Sequence, residues 1–390
     1  MAAVVVAALS FPLAGPAGAV PQWASVAAAG RWTPPALPDT PMAPAAARRL
    51  DAAVTQALKG SADETPGAWV GVWSPTLGVR VKAYGKAALP RTPARVDDHN
   101  FMGSITKTVT ATAVLQQVAK GTMKVTDTVR DLDPSLATQF PEIAGLTIDQ
   151  LLGMRSGLPD YANEPAGVLR LIAADPKRQF TPRQLIEIAL AANEIQPAGT
   201  PGYSTTNYII LGELLAKVTG RTPAQLLNDV FAEAGMPQSA LPAPGTRAPR
   251  PRSHGYIGPS SADELAAFGA PAGLAGTDVV GWNLSWGRAG GGAYTTVEDL
   301  GRWGALGLGT ALLPKKLGDR RIALASQNPQ GYGWGLFVEP GDWITHTGQV
   351  IGWEASVRQN TRTGEVVVVM VNSTSGLSTI TSAVDQALAP

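Results

Sequence analysis

The stretch Glu365-Val366-Val367-Val368-Val369-Met370-Val371-Asn372 decides the fold class. A strand apolar at every position is one covered on both faces. Working outward, Thr361-Arg362-Thr363-Gly364 reads as a hairpin turn, and residues 353–359 before it carry the partner strand pattern. A further strand pattern occupies 334–339, and residues 377–388 read as a closing helix. Near the other end of the chain, 69–73 and 79–84 alternate apolar and polar residues around a turn at 75–78. Leu50, Val54 and Leu58 recur every fourth position, so 45–59 is an amphipathic helix. Helical patterns dominate from 104 to about 227, with Thr181-Pro182 and Thr222-Pro223 as helix starts. The expectation is an α+β fold. An antiparallel sheet flanked by helices is built from both chain ends (45–103 and 285–390), and a mainly helical domain (104–284) is inserted. The active site is expected at their junction, where clefts form.

Composition narrows the function. Thirty-one basic against 30 acidic residues leave a net charge of +1, no electrostatic footprint for nucleic acid. Cysteine is absent, which removes disulfides, thiolate metal sites and a cysteine nucleophile together. The three histidines, His99, His254 and His346, show no metal-ligand spacing, so no metal is expected. No charge precedes Arg31, the run from Ala2 to Leu9 is apolar, and Ala17-Gly18-Ala19 suits signal cleavage. Eight apolar residues are too few to span a bilayer, which needs about 20. Residues 1–19 are therefore read as a signal peptide of a secreted or cell-envelope protein. Residues 20–44, with five prolines between 34 and 44, are read as an extended tether. The stretch 237–259 holds six prolines plus Arg247, Arg250 and Arg252. It is expected as a surface loop at the rim of the substrate cleft, its arginines plain solvated charge.

Three short elements carry the chemistry. In Phe101-Met102-Gly103-Ser104-Ile105-Thr106-Lys107, serine and lysine stand three apart at a helix start and share one face. A serine hydroxyl is a poor nucleophile until a base takes its proton, and a lysine of lowered pKa can do so. The helix start also favours the developing oxyanion. Gly202-Tyr203-Ser204-Thr205-Thr206-Asn207-Tyr208 places a tyrosine at a helix entrance, where it can carry a second proton. His346-Thr347-Gly348 lies on or beside an edge strand, and its glycine admits an acyl group close to the backbone. Taken singly each has a bland reading: a chance pair, a core aromatic and a satisfied polar histidine.

In this order the three are specific. The chain resembles the serine β-lactamase and penicillin-binding superfamily, in particular its class C β-lactamase, D-alanyl-D-alanine carboxypeptidase and family VIII esterase branch. That branch carries Ser-x-x-Lys, Tyr-x-Asn and then Lys-Thr-Gly or His-Thr-Gly. Leu146 to Leu152 with Ser156-Gly157-Leu158, and Gly290 to Thr296 with Glu298-Asp299-Leu300, resemble the family's intervening segments. The resemblance covers roughly 45–388 and implies a β-lactamase/transpeptidase-like fold. It implies Ser104 as the acylated nucleophile, Lys107 and Tyr203 sharing proton transfer, and the backbone N–H groups of Ser104 and Gln349 as the oxyanion hole. It implies substrate contacts from His346, Thr347, Gly348 and Thr205, with Trp286 as a cleft wall. Thr205 stands where the family has asparagine, the residue that holds a substrate's acyl-side amide. Threonine is shorter and lacks the two-donor amide, which favours an ester-like substrate. Asn207 is a possible substitute but falls on the helix.

The leading reading is an exported serine hydrolase acting on a small molecule or peptide, with no cofactor, no nucleic acid and no membrane span. A D-alanyl-D-alanine carboxypeptidase-like peptidase or amidase stands first; a carboxylesterase and a β-lactamase follow, with cell-wall peptide or ester as substrate. A catalytically silent cell-wall peptide-binding protein is the non-enzyme alternative. The intact Ser104, Lys107 and Tyr203 speak against it. An α/β-hydrolase is set aside because no Gly-x-Ser-x-Gly elbow occurs.

Overall fold

In the computed structural model, which describes residues 37–61, 65–162, 167–192, 194–267, 269–328 and 330–389, the valine-rich stretch lies at the centre of the main sheet. The strands are β1 (Gly67–Ser74), β2 (Gly78–Ala88), β3 (Thr92–Pro93), β4 (Asn100–Phe101), β5 (Tyr294–Thr295), β6 (Tyr332–Gly333), β7 (Leu336–Glu339), β8 (Trp343–Val350), β9 (Trp353–Asn360) and β10 (Val366–Val371). Eight of them form one sheet in the order β3-β2-β1-β10-β9-β8-β7-β6, and every pairing is antiparallel. β4 and β5 form a separate two-stranded ribbon. The sheet is thus assembled from both ends of the chain, as its hydrophobic patterns require.

Why β10 is apolar throughout is visible in its two faces. Val367, Val369 and Val371 pack with Val70 and Val72 of β1 against Leu50, Val54, Ile380 and Val384. These last four lie on the helices Pro44–Gly60 and Leu377–Leu388. Val366, Val368 and Met370 point the other way, joining Trp69, Trp73, Leu300 and Trp303 in the larger core. Successive side chains alternate between layers, and each fully buried valine contributes on the order of 1.5–3 kcal/mol. The helix Val297–Ala305 lies close on this second face because it is notched. A Cβ at Gly301 would stand 2.2 Å from the Trp73 ring.

Three expectations shift, and one falls outside the described residues. The tether read as far as residue 44 ends sooner, because Thr40 and Met42 hydrogen-bond Val79 of β2 and Met42 is buried. Residues 1–36, which include the expected signal peptide, lie outside the described residues. The segment expected as 334–339 is a strand only from Leu336 (β7), because Trp334 and a positive-φ Gly335 form the turn that joins it to β6 before it. The inserted segment is helical as far as the Pro223–Glu233 helix, but beyond it only Pro259–Ala267 is helical before residue 285. Six prolines in 237–259 deny that stretch the backbone donors a helix needs. No described helix is long and apolar enough to cross a membrane.

Candidate active site

β8 is not an edge strand, yet half of it behaves as one. β7 pairs only with Trp343, Ile344 and Thr345, so β8 runs past its neighbour from His346 to Val350. β9 closes a tight hairpin on it, with Val350 opposite Trp353. Hydrogen-bonded pairs alternate along antiparallel strands, which turns the amides of Thr347 and Gln349 away from β9, toward the uncovered side. The turn Gly103–Ile105 docks there, backbone against backbone. A Cβ on Gly348 would lie 2.0 Å from the Met102 carbonyl and 2.8 Å from the Ser104 amide nitrogen. Gly103, at φ +50°, meets the Gln349 amide nitrogen in the same way. Only glycines on both sides let the backbones of Ser104 and Gln349 approach this closely.

Ser104 is half-buried in that turn, and the helix Thr106–Lys120 follows it. The helix is buried nearly all round although it carries Thr106, Thr108, Thr110 and Thr112. Each hydroxyl is satisfied: Thr106 bonds the Gly103 carbonyl, Thr108 that of Ile105, Thr112 that of Thr108, and Thr110 that of Ala289. Thr106 also accepts from the Ala293 amide. The threonines therefore fix the segment 289–293 against the helix, and with it the carbonyl of Gly290. Lys107 is fully buried. Its Nζ donates to Ser104 Oγ at 2.9 Å, to the Gly290 carbonyl at 2.8 Å and to Thr205 Oγ1 at 3.2 Å. Burial penalises the ammonium and lowers its pKa from 10.5 to about 7, with the Asp160 carboxylate acting in the opposite direction. The lowered pKa brings the unprotonated amine, the form a base beside a serine hydroxyl must take, within reach near neutral pH.

Tyr203 precedes the helix Thr206–Thr219, and its ring centroid lies 4.9 Å from Lys107 Nζ. The residue is 38 % exposed, but its phenol end is enclosed. Burial pushes that hydroxyl well above the ordinary phenol range, with a hydrogen bond from Ser104 working against the shift. Ser204 and Thr206 hydroxyls both donate to the Pro159 carbonyl, at 2.9 and 2.7 Å, and staple the 156–161 loop beside the tyrosine.

Several expected contacts fall elsewhere. Thr205 is buried, and its hydroxyl accepts from Lys107 and donates to Asp160 Oδ2 at 3.3 Å. Asn207 is no substitute, since its amide is occupied by the Ser156 hydroxyl and the Met154 sulfur inside the helical layer. His346 is buried against Tyr332 and Phe337, with Nδ1 on its neighbour's carbonyl at Thr347 and Nε2 3.5 Å from the Tyr332 hydroxyl. Burial, followed by the charge of Lys107, lowers its pKa to about 3, so it is neutral. It supports the strand rather than offering charge to a carboxylate. Trp286 is buried in the core, its carbonyl accepting from Tyr161, instead of forming an open wall. Thr347 is half-buried, Gly348 buried and Gln349 exposed along the open stretch of β8. The 237–259 loop borders another cavity, one that Ser104, Lys107, Tyr203 and His346 do not line.

Sequence reading missed Asp160, a buried carboxylate two residues past the Ser156-Gly157-Leu158 segment. Asp160→Asn should remove the charge that holds the Lys107 pKa up. The acid limb of the kcat/KM profile is then expected to move to lower pH, and an unmoved limb measured by stopped assays would detach Asp160 from Lys107.

Among the described residues no group of His, Asp or Glu could hold a metal ion. The arrangement is a serine hydroxyl beside a buried amine, with the backbone of Gln349 close by, a set suited to acyl transfer. The Beta-lactamase family model matches residues 50–388, and the chain belongs to the Beta-lactamase family, a family of serine hydrolases. Among solved structures, a D-stereospecific amidohydrolase from Streptomyces sp. is 26% identical, with a TM-score of 0.70 over 86% of this chain and 97% of that one. D-amino acid amidase from Ochrobactrum anthropi SV3, complexed with D-phenylalanine, is 21% identical with a TM-score of 0.72 over 87% and 98%. That likeness shows the fold alone. PbpX of Bacillus subtilis (strain 168), named as a penicillin-binding protein, is 24% identical over 282 residues, 70% of this chain. The match spans 61% of that protein's length.

Proposed function

We propose that this chain is an exported amidase that hydrolyses D-amino-acid amides and short D-peptides with a free amino group, through an acyl-enzyme at Ser104. The observation that carries the reading is Lys107 Nζ 2.9 Å from Ser104 Oγ with its pKa lowered to about 7 by burial. Lys107 takes the serine proton as Oγ attacks the carbonyl carbon. The amides of Ser104 and Gln349 receive the developing oxyanion. Tyr203, whose hydroxyl is protonated at rest, passes its proton to the departing amine and is reprotonated by Lys107. Water then attacks the ester on Ser104, giving a proton to the freed Lys107 amine, which returns it to Ser104 Oγ as the acid leaves. Lys107 is the base because burial lowers its pKa while it raises that of Tyr203.

The substrate class rests on Thr205. Turned to Lys107 and Asp160, it gives an acyl-side amide no partner. An N-acylated D-Ala-D-Ala peptide or a penicillin has such an amide; a D-amino-acid amide has an ammonium in its place. The Asp160 carboxylate sets negative charge on this side of the cleft, favourable to an ammonium. The similarity to the Streptomyces D-stereospecific amidohydrolase supports the same class. The lack of an amide contact also suits a simple ester, the second reading.

The test is a panel: D- and L-phenylalaninamide, an N-acetyl-D-Ala-D-Ala peptide, a p-nitrophenyl ester and a penicillin. D-amide turnover exceeding the others in kcat/KM is expected. Hydrolysis of the peptide, ester or penicillin without D-amide turnover would overturn the substrate class. Export rests on the charge-free apolar start. Terminal sequencing of secreted protein should begin near Val20, and an uncleaved chain in the culture medium would refute the cleavage site.

A further inference from the structure

A cavity of about 290 Å³ lies beneath the 237–259 loop. Its apolar walls include Phe101, Trp282 and Trp353, which suit the body of a small ligand. Its polar lining is unusual in being unsatisfied. His99 Nε2, Arg252 Nε and Ser285 Oγ are buried and find no partner among the described residues, and all three residues line this cavity. His99 is 4 % exposed, and its Nδ1 donates to the Pro251 carbonyl at 2.7 Å, which fixes the ring and leaves Nε2 over. Native proteins rarely leave such groups bare without a ligand or water to serve them.

The charge balance points to the ligand's sign. Arg247, Arg252 and Arg288 line the cavity against a single acid, Glu213. Arg288 donates to the Phe180 carbonyl and is stabilised by Glu213, so these two offset one another. Arg252 has only like charge near it: after burial, Arg250 and Arg247 are what depress its pKa. Among the described residues neither Arg247 nor Arg252 forms an ion pair. Arg252 Nη1 donates to the Ala248 carbonyl at 2.8 Å, but no anion faces the guanidinium. A part-buried cation without a counter-charge is costly, and an anion relieves the cost.

We propose that this cavity is a second binding site, for a small carboxylate with an aromatic or branched apolar body. The carboxylate accepts from Arg252 and Ser285 while the body lies against Trp282 and Trp353. The site backs onto the catalytic one, because Ala289 and Gly292 line it and the Gly290 carbonyl between them accepts from Lys107.

The test uses 3-phenylpropionate and its neutral amide, titrated by calorimetry into the full chain with Ser104 blocked by a fluorophosphonate. Saturable binding of the acid is expected. Arg252→Gln should weaken it at least about tenfold, the loss of one charge-assisted hydrogen bond, with p-nitrophenyl ester turnover unchanged. Should Arg252→Gln fail to fold, Ser285→Ala should weaken binding by a smaller factor. Three results would overturn the proposal: no saturation up to about 10 mM, equal binding of the amide, or binding abolished by the Ser104 block. The last would place the carboxylate in the catalytic cleft.

Discussion

Ser104→Ala should reduce turnover of every substrate in the panel to a small residue and leave the fold intact. The loss expected is at least about 10⁴-fold in kcat, the range seen when a serine nucleophile is removed from a preorganised site. The hydroxyl is half-buried and makes its contacts with Lys107 and Tyr203. Its removal leaves the packing of the Gly103–Ile105 turn unchanged, so the melting temperature should hold. A fluorophosphonate should add one adduct to the native chain and none to the variant, read by intact mass. Labelling that persists in the variant would move the nucleophile elsewhere, and among the described residues no second serine lies beside a buried lysine amine. Residual activity from the proposed oxyanion donors and substrate binding is expected, since those survive the substitution.

What the sequence disclosed and what it withheld follow from the range of the interactions concerned. β10 and its two flanking helices were legible because alternation and four-residue spacing record local partition between two cores, and Val366 to Val371 feed both. The turn at 361–364 was legible from its glycine, at φ +77°. Ser104, Lys107 and Tyr203 could be singled out because residue type and spacing carry their chemistry, and the structure brings them together. Orientation and environment carry no such record. Thr205 was visible as a departure from the family's asparagine, but only its contacts show that it serves Lys107 and Asp160. His346 reads alike whether it faces a cleft or a core; Tyr332 and Phe337 decide for the core. The 237–259 loop could be recognised by its prolines, but not the pairing of Pro251 with His99 or of Ser253 with Trp353, across a hundred residues or more. The second cavity depends on those pairings, so no reading of the loop alone could have found it.

Lys107→Met should cost at least about 10²-fold in kcat, the low end for loss of a general base, and should also change how stability depends on pH. The folded chain holds this amine at about 7, against 10.5 for an ordinary lysine. Between those values the unfolded chain keeps a proton that the folded chain has released. The unfolded state therefore binds more protons, and stability rises with pH across the window from about 7 to 10.5. Below it both states are protonated and the burial cost is felt in full; above it both are neutral and the cost is gone. The whole window is worth on the order of 5 kcal/mol, and the part between pH 6.5 and 9.5 about 3 kcal/mol. Methionine fills a similar volume without titrating, so the variant should lose that rise. The absolute stability is a poorer readout, because removing the amine also strips a donor from the Gly290 carbonyl and Thr205. Urea unfolding of both proteins at the two pH values isolates the difference, since other titrating groups cancel. If the wild type and Lys107→Met gain stability equally between pH 6.5 and 9.5, Lys107 keeps an ordinary pKa in the folded chain. The proton taken from Ser104 must then go to another group, with Tyr203 the first to examine.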